Sequence, residues 1–429
     1  MNLLLKNVRL VTATEQTGPQ DVLIQNGRIE AVGTELPTEN NMETWDLAGA
    51  CASPGWMDIG AQAADPGYEH REDLYSVARA AAAGGYTALA IFPNTDPAVH
   101  SKSEVLYVLN KTAAGPVAVH PIGAVSSGCA GKDLAELFDM HQAGAVAFSD
   151  GRQSVQDAGL LLRAIQYARA FNGLIINIPH HHTIAQSGQM HEGVVSTMLG
   201  LKGLPALAEE LMVQRDLSLL EYAEGRLHLH LLSTARSVQL IRAAKRVGLP
   251  VTASVAVANL CFTDHLLLGD TASSQGAFDA NWKILPPSRS AADVAALVEG
   301  VVDGTIDIIA SNHTPWHEEA KNLEFPYAEF GMIGLETTFS LCRSHLHQVL
   351  SVQGLVEKLA VAPRRVLGLP VPEIKPGAMA DLTLFDPDVE WTFTEKNIAS
   401  KSKNTPFIGQ AFRGKVLGIV HRGQVVRNF

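Results

Sequence analysis

Cysteine is scarce: Cys51, Cys129, Cys261 and Cys342 stand singly, in apolar surroundings, among 429 residues. No Cys-x-x-Cys pair occurs, which excludes a thiolate zinc site and a disulfide framework and leaves buried free thiols. Long apolar runs are absent too. Nothing approaches the roughly 18 apolar residues a membrane span needs, and Lys6 and Arg9 interrupt the N-terminal stretch where a signal core would lie. A cytoplasmic protein without membrane association is therefore expected. Basic blocks are missing and the formal charge is −11, so most of the surface repels a phosphate backbone and nucleic acid is not an expected partner. What is present is globular material, 46% hydrophobic and 18% charged, enough for one large core and a smaller satellite.

The two chain ends share a rhythm that the middle lacks. Leu3 to Val11, Asp21 to Gln25 and Arg28 to Val32 alternate apolar and polar residues, with Asn26-Gly27 between the last two, a strong hairpin signal. Asp381 to Phe385, Lys415 to His421 and Gln424 to Val426 repeat the pattern around Arg422-Gly423. Residues 1–52 and 370–429 are expected to build one small β-sandwich domain that brings the termini together. Residues 53–369 instead alternate short apolar strands with amphipathic helices. Eight strands are expected, at Trp56–Ile59, Thr87–Phe92, Val117–Val125, Ala145–Ser149, Leu174–Ile178, Arg226–Leu232, Val251–Val257 and Ile306–Ala310. Helices such as Asp157–Phe171 and Pro205–Ala223 lie between them. Runs apolar on both faces belong to a parallel sheet covered on both sides, and eight β/α units point to a closed α/β barrel, a (β/α)8 TIM barrel. An open doubly wound sheet would need a glycine-rich phosphate turn after its first strand, which Gly60-Ala61-Gln62 does not supply. In such barrels chemistry sits where the strands end.

Several segments at those ends carry a specific likeness. They include Pro54-Gly55-Trp56-Met57-Asp58, Asp65-Pro66-Gly67 with Arg71-Glu72-Asp73, Ala82-Ala83-Gly84-Gly85-Tyr86-Thr87, and Phe92-Pro93-Asn94-Thr95-Asp96-Pro97. His191-Glu192-Gly193, Asp303-Gly304-Thr305-Ile306-Asp307, Phe330-Gly331, Gly334-Leu335-Glu336-Thr337 and Lys403-Asn404-Thr405-Pro406-Phe407 continue the series. In this order, across almost the whole chain, they resemble the dihydroorotases of the amidohydrolase superfamily. The resemblance implies an amidohydrolase-type barrel and an activity in pyrimidine biosynthesis, the reversible closure of carbamoyl aspartate to dihydroorotate. It also implies two metal ions, usually zinc, sharing a hydroxide, with an Asp at the end of strand eight moving the proton. Bound metal lowers the pKa of water from 15.7 to roughly 7, which makes amide hydrolysis feasible at neutral pH.

The ligands that the resemblance demands are not in place. The His-x-His expected after Asp58 reads Gly60-Ala61-Gln62, and the substrate-carboxylate Arg two residues on is Ala64. The strand-four Ser-Asp-Asp-Gly turn reads Ser149-Asp150-Gly151-Arg152. The strand-five His aligns with Asn177, to within one residue, and the strand-six His with Leu231, ahead of Leu232-Ser233-Thr234. The strand-eight Asp falls on Asn312 in Ser311-Asn312-His313. Gly60 and Leu231 have no ligand atom, while Gln62, Asn177 and Asn312 offer neutral amide oxygens that suit zinc poorly. Asn312 cannot accept a proton at neutral pH. Asp58, Asp150 and His313 are possible metal-site remnants. Asn94 and Arg289 remain from substrate contacts, whereas Leu285 and Val257-Ala258-Asn259 replace an Asn and a Pro-His-His.

The remaining histidines are expected to be structural. His180-His181-His182 reads as an irregular loop after strand five. His228 and His230 share a face of strand six, and since the family ligand falls on Leu231 they are expected to face the helical layer. His317-Glu318-Glu319 lacks the spacing of a zinc helix. The expected function is thus a catalytically silent dihydroorotase-like protein, without cofactor. The resemblance implies, for such relatives, homo-oligomerisation and association with aspartate transcarbamoylase. The alternatives are an active zinc-dependent dihydroorotase or related cyclic amidohydrolase using Asp150, His180 or His313, and a small-molecule sensor using Asn94 and Arg289.

Overall fold

The computed structural model describes residues 2–37, 42–269 and 277–428. Seven parallel strands, Trp56–Ala61, Tyr86–Ile91, Ala118–Pro121, Leu174–Asn177, Arg226–Leu229, Val251–Ala256 and Ile308–Ala310, stand around one axis. The fourth place in the ring is held by Phe148, which bridges Gly123 on one side and Ile175 on the other. Closure between the first and last strands is made by side chain and loop. Asp58 accepts from Ser311 N (2.8 Å) and Ser311 Oγ (2.5 Å), and Gln62 N donates to His313 O (3.1 Å).

Strict alternation sorts the side chains. Met57, Ile59, Ala88, Ala90, Ala118, Ala147, Leu174, Ile176 and Ile308 fill the barrel interior. Ile175, Leu227, Leu229, Val251, Ala253 and Val255 point outward to the helices. The helix Ala158–Arg169 starts where Asp157 caps Leu160 N, and it buries Leu160, Leu161, Ala164, Ile165 and Ala168 against the barrel. Leu207–Ala223 is the longest helix among the described residues.

Strands from both chain ends form one curled eight-stranded sheet, wrapped around its own core of Leu3, Leu5, Val22, Ile24, Ile29, Leu382, Leu384 and Val420. Asn26 (φ 52°) and Gly27 (φ 76°) make the left-handed pair that a tight two-residue hairpin needs. The sheet then folds back on itself: Ile29 N donates to Ala378 O and Ala380 N to Gly27 O, both at 2.9 Å. Trp56 sits at the join with the barrel, its ring against Phe339 and Phe385 and its Nε1 donating to Ser53 Oγ. Arg364 ties the same join together through Thr87 Oγ1 (3.1 Å) and Asp381 Oδ2 (3.3 Å). No helix among the described residues is long and apolar enough to cross a membrane.

Candidate functional site: the barrel mouth

Three strand ends turn toward the mouth through left-handed backbone. These are Gly60 (φ 88°), Leu231 (φ 63°) and Asn312 (φ 52°), a region that disfavours a bulky side chain such as leucine. All three are positions where the resemblance requires a metal ligand or the general base. The turn at Leu231 corrects the expectation for His228 and His230. The two do share a face, but it is the interior, because His228 pairs in register with the inward Ile176. Alternation stops at Leu231, whose left-handed turn swings it to the mouth instead of across the strand. His228 bonds Thr252 Oγ1 (2.8 Å) and Ser254 Oγ (3.1 Å), and His230 Nδ1 bonds Ser254 Oγ (2.7 Å). Burial holds His230 neutral, its pKa pulled down to about 3. A Cβ on Gly60 would lie 2.4 Å from His230 Nε2 and 2.7 Å from the Phe92 ring. The imidazole of strand six thus occupies the space that a side chain at residue 60 would need.

Asn177 also requires a correction. Its register partner is the outward Leu229. Its amide donates to Asp216 Oδ2 (2.6 Å) and accepts from Val155 N (3.2 Å), on the helical side of the sheet. One residue further on, Ile178 and then His180 line the mouth. The position answering to the strand-five ligand is therefore the apolar Ile178. His180, first of the three consecutive histidines, faces the mouth as a neutral imidazole, its pKa lowered by burial to about 4.

The mouth is filled. Gly60, Gln62, Phe92, Arg152, Ile178, His180, Leu231, Leu285 and Asn312 surround a space of about 10 Å³. A second space of about 10 Å³ adjoins Arg289, Glu209 and Pro286. Each holds one water at most, whereas small-molecule sites run to roughly 300–1,000 Å³. The filler that the sequence reading passed over is Arg152. Its Nη1 donates to Thr314 Oγ1 and its Nη2 to Phe330 O, both at 3.0 Å, so the guanidinium reaches from the loop after strand four to the loops after strand eight. No carboxylate lies within ion-pair distance among the described residues, and burial lowers its pKa only to about 10, so it is a cation at neutral pH. The sequence did carry a signal, since Ser149-Asp150-Gly151-Arg152 puts a cation where the family has the closing Gly of its acidic turn.

These residues do not fit the metal pair that the resemblance implies. Gly60, Ile178 and Leu231 provide no donor. Asn312 gives its Nδ2 to Leu285 O (3.1 Å). Among the described residues no three His, Cys, Asp or Glu side chains cluster as a metal ion would require. Two unit charges 4 Å apart repel by about 4 kcal/mol at an effective dielectric of roughly 20, and a divalent ion beside Arg152 would meet about twice that.

The remnants and residual contacts are engaged in holding the scaffold. Asp58 is used in barrel closure, and burial raises its pKa to about 6. Asp150 accepts from Ser126 N (2.8 Å) and Ser126 Oγ (2.5 Å). His313 Nδ1 accepts from Gly334 N (3.3 Å), which leaves Nε2 3.6 Å from Glu72 Oε2, buried and away from the mouth cavity. Asn94 gives Nδ2 to Asp150 O (2.9 Å) and takes Arg152 N on Oδ1 (3.0 Å), which steadies the loop that carries Arg152. Arg289, 3% exposed, donates to Ser233 Oγ (3.1 Å) and Leu204 O (2.7 Å) beside Glu209. His317 lies outside the mouth, ring to ring with His70.

Comparison with known proteins agrees with this frame. The dihydro-orotase-like family model matches residues 50–237. A protein of Pelotomaculum thermopropionicum named dihydroorotase is 42% identical over 99% of this chain and 98% of its own. One of Pelobacter propionicus, with the same name, is 38% identical over 99% of both. Among solved structures, the L-hydantoinase of Arthrobacter aurescens superposes with a TM-score of 0.83 at 24% identity, covering 100% of this chain and 96% of that one. The dihydropyrimidinase of Brevibacillus agri gives 0.81 at 20% identity, over 100% and 95%. At such identities these structures speak for the fold, a TIM barrel with a separate β-sandwich. With 42% identity sustained over nearly its whole length, the chain belongs to the dihydroorotase family.

Proposed function

We propose that this chain is a non-catalytic dihydroorotase-like protein of pyrimidine biosynthesis, cytoplasmic and homo-oligomeric, that holds no metal and serves as an assembly or regulatory partner of aspartate transcarbamoylase. The observation that carries the reading is the mouth itself. Leu231, Ile178, Leu285 and Arg152 occupy the room where metal and carbamoyl aspartate would have to sit, and leave about 10 Å³. Asn312 has no basic atom for the proton, so the loss of the base is independent of the loss of the metal. The surrounding scaffold is intact, from the Trp56 join to the Asp58 closure, and an intact exterior around a reaction centre closed by side chains is what a binding partner would use.

Two measurements test this. Dihydroorotate ring opening by the purified chain, with and without added zinc, should show no turnover in either condition. Light scattering of the chain mixed with aspartate transcarbamoylase from the same cell should show a co-eluting complex. Separate elution at micromolar concentration would remove the assembly role. The competing reading, an active zinc-dependent dihydroorotase or related cyclic amidohydrolase, draws on the name borne by the relatives at 37–42% identity and on the unpartnered buried Nε2 of His230. It requires Arg152 to leave the mouth, and zinc-dependent turnover would establish it.

A further inference from the structure

We infer that the mouth is built around a monocation, and that the Arg152 guanidinium is its resident ligand in place of the family's divalent metal. The resemblance places two metal ions at the strand ends. Here the tie between loops is the planar fork of one side chain, which bonds Thr314 Oγ1 and Phe330 O at 3.0 Å each. The surrounding acceptors match that species. A neutral hydroxyl oxygen and a backbone carbonyl accept from its two terminal nitrogens, which suits a planar guanidinium better than a compact divalent ion. The loop carrying it is prepared in advance: Asn94 clasps both Asp150 O and Arg152 N, so the side chain leaves from a fixed base. A Cβ on the neighbouring Gly151 would come within 2.0 Å of Asn94 Oδ1, and its φ is 55°, so the clasp depends on glycine at that place.

The consequence is a site specific for a class of ligand. With the Arg152 side chain cut back, the vacated space should bind small planar cations of the guanidinium type, and reject both a neutral molecule of the same shape and a divalent metal. A second consequence is that the mouth loops of the native protein are ordered without metal, and present one surface under all metal conditions. The inference concerns the mouth that the proposed function reads as non-catalytic, but it is tested on the isolated chain. Failure to bind the transcarbamoylase would leave it standing, and its own failure would leave the partnership open.

The test is thermal melting of the full chain and of Arg152→Ala. Removing the fork takes the Arg152 donor from Thr314 Oγ1 and one of two donors from Phe330 O, which keeps Trp316 Nε1 (3.0 Å), so melting should fall by roughly 1–3 °C in a chain of this length. Methylguanidinium at about 10 mM should restore at least half of that loss, while urea at the same concentration and zinc at about 0.1 mM restore none. The native chain should melt at one temperature with zinc or with chelator. Recovery by zinc, equal recovery by urea, or a native chain stabilised by zinc would each overturn the inference. Should Arg152→Ala fail to fold, Arg152→Lys, which keeps the charge and loses the fork, supplies the reading. It should melt below the native chain, gain from neither zinc nor chelator, and any gain from zinc would again overturn it.

Discussion

Gly60→Ala puts the interior of the barrel under test with a single methyl group. Its Cβ would stand 2.4 Å from His230 Nε2 and 2.7 Å from the Phe92 ring, and the φ of 88° would be imposed on an L side chain. Left-handed backbone costs such a residue about 1–2 kcal/mol, and overpacking of this kind about 1–3 kcal/mol. The expected loss is about 2–5 kcal/mol. Unfolding entropy of roughly 2.1 cal/mol/K per residue, over the whole chain, makes 1 kcal/mol worth about 1 °C, so calorimetry should find melting lower by about 2–5 °C. The double variant Gly60→Ala/His230→Ala separates the two terms. Removing the ring abolishes the clash and leaves the backbone cost, so the pair should be less harmful than the sum of the singles by about 1 kcal/mol or more. Additive losses would mean that His230 does not fill the space beside residue 60, and that the inward placement of strand six is wrong. A Gly60→Ala protein as stable as the native one would refute the reasoning outright.

Three further outcomes follow from the same geometry. His230 is pulled by burial from its ordinary range to about 3. Its stabilising contribution is therefore complete above pH 6.5 and is lost as pH falls toward 3, because the unfolded chain takes a proton that the fold refuses; His230→Asn should flatten urea-measured stability against pH by about 1.4 kcal/mol per unit between pH 4 and 6. Asp58, raised to about 6, works the other way: its folded carboxyl keeps a proton that the unfolded one has shed, so its contribution is present below about 3.8 and is lost as pH rises through 6, and Asp58→Asn should steepen the acid limb in the same titration. Arg289→Ala should cost about 3 kcal/mol in urea unfolding, because it strips a buried partner from Glu209 and Leu204 O, whereas a surface substrate contact would leave stability unchanged.

Much of the architecture was legible because periodicity and turn chemistry are local. The Asn26-Gly27 hairpin, the helix after Asp157 and seven of the eight barrel strands stand where alternation and spacing put them, although the strands expected at Val117–Val125 and Arg226–Leu232 are shorter, Ala118–Pro121 and Arg226–Leu229. The fourth strand is reduced to Phe148, which an apolar run cannot reveal, because the number of ladder bonds depends on the neighbouring strands. The errors at the site share one cause. Period two predicts facing only within a strand, which here ends at Leu229, and Leu231 breaks the period with a left-handed turn that no residue preference announces. Asn177 was misplaced by one residue for the related reason that parity cannot be settled before the register with Leu229 is known. Arg152 is not announced at any ligand position, because it reaches the mouth on a long side chain from the loop after strand four.

Leu231 puts the backbone of the mouth to a further test. Leucine rarely adopts φ near +63°, yet here the backbone is held by His230 N to Asn177 O (2.9 Å), Leu231 N to Ser254 Oγ (3.1 Å) and Leu232 N to Ser254 O (2.8 Å). Those bonds fix the turn whatever side chain it bears. Histidine tolerates the left-handed region several-fold better than β-branched residues do. Leu231→His should therefore stay within about 1 kcal/mol of the native chain, since relieved backbone strain offsets the apolar burial lost against Ala256 and Ala310. Leu231→Val, apolar but β-branched, should lose about 2 kcal/mol or more. Restoring the imidazole should still not bring zinc, because Arg152 keeps its charge in the mouth and residue 60 has no room for a second ligand. Urea unfolding and metal content of the two variants decide it. A histidine variant less stable than the valine one would show that the turn at 231 is not left-handed, and stoichiometric zinc in the histidine variant would show that one side chain separates this mouth from a metal site.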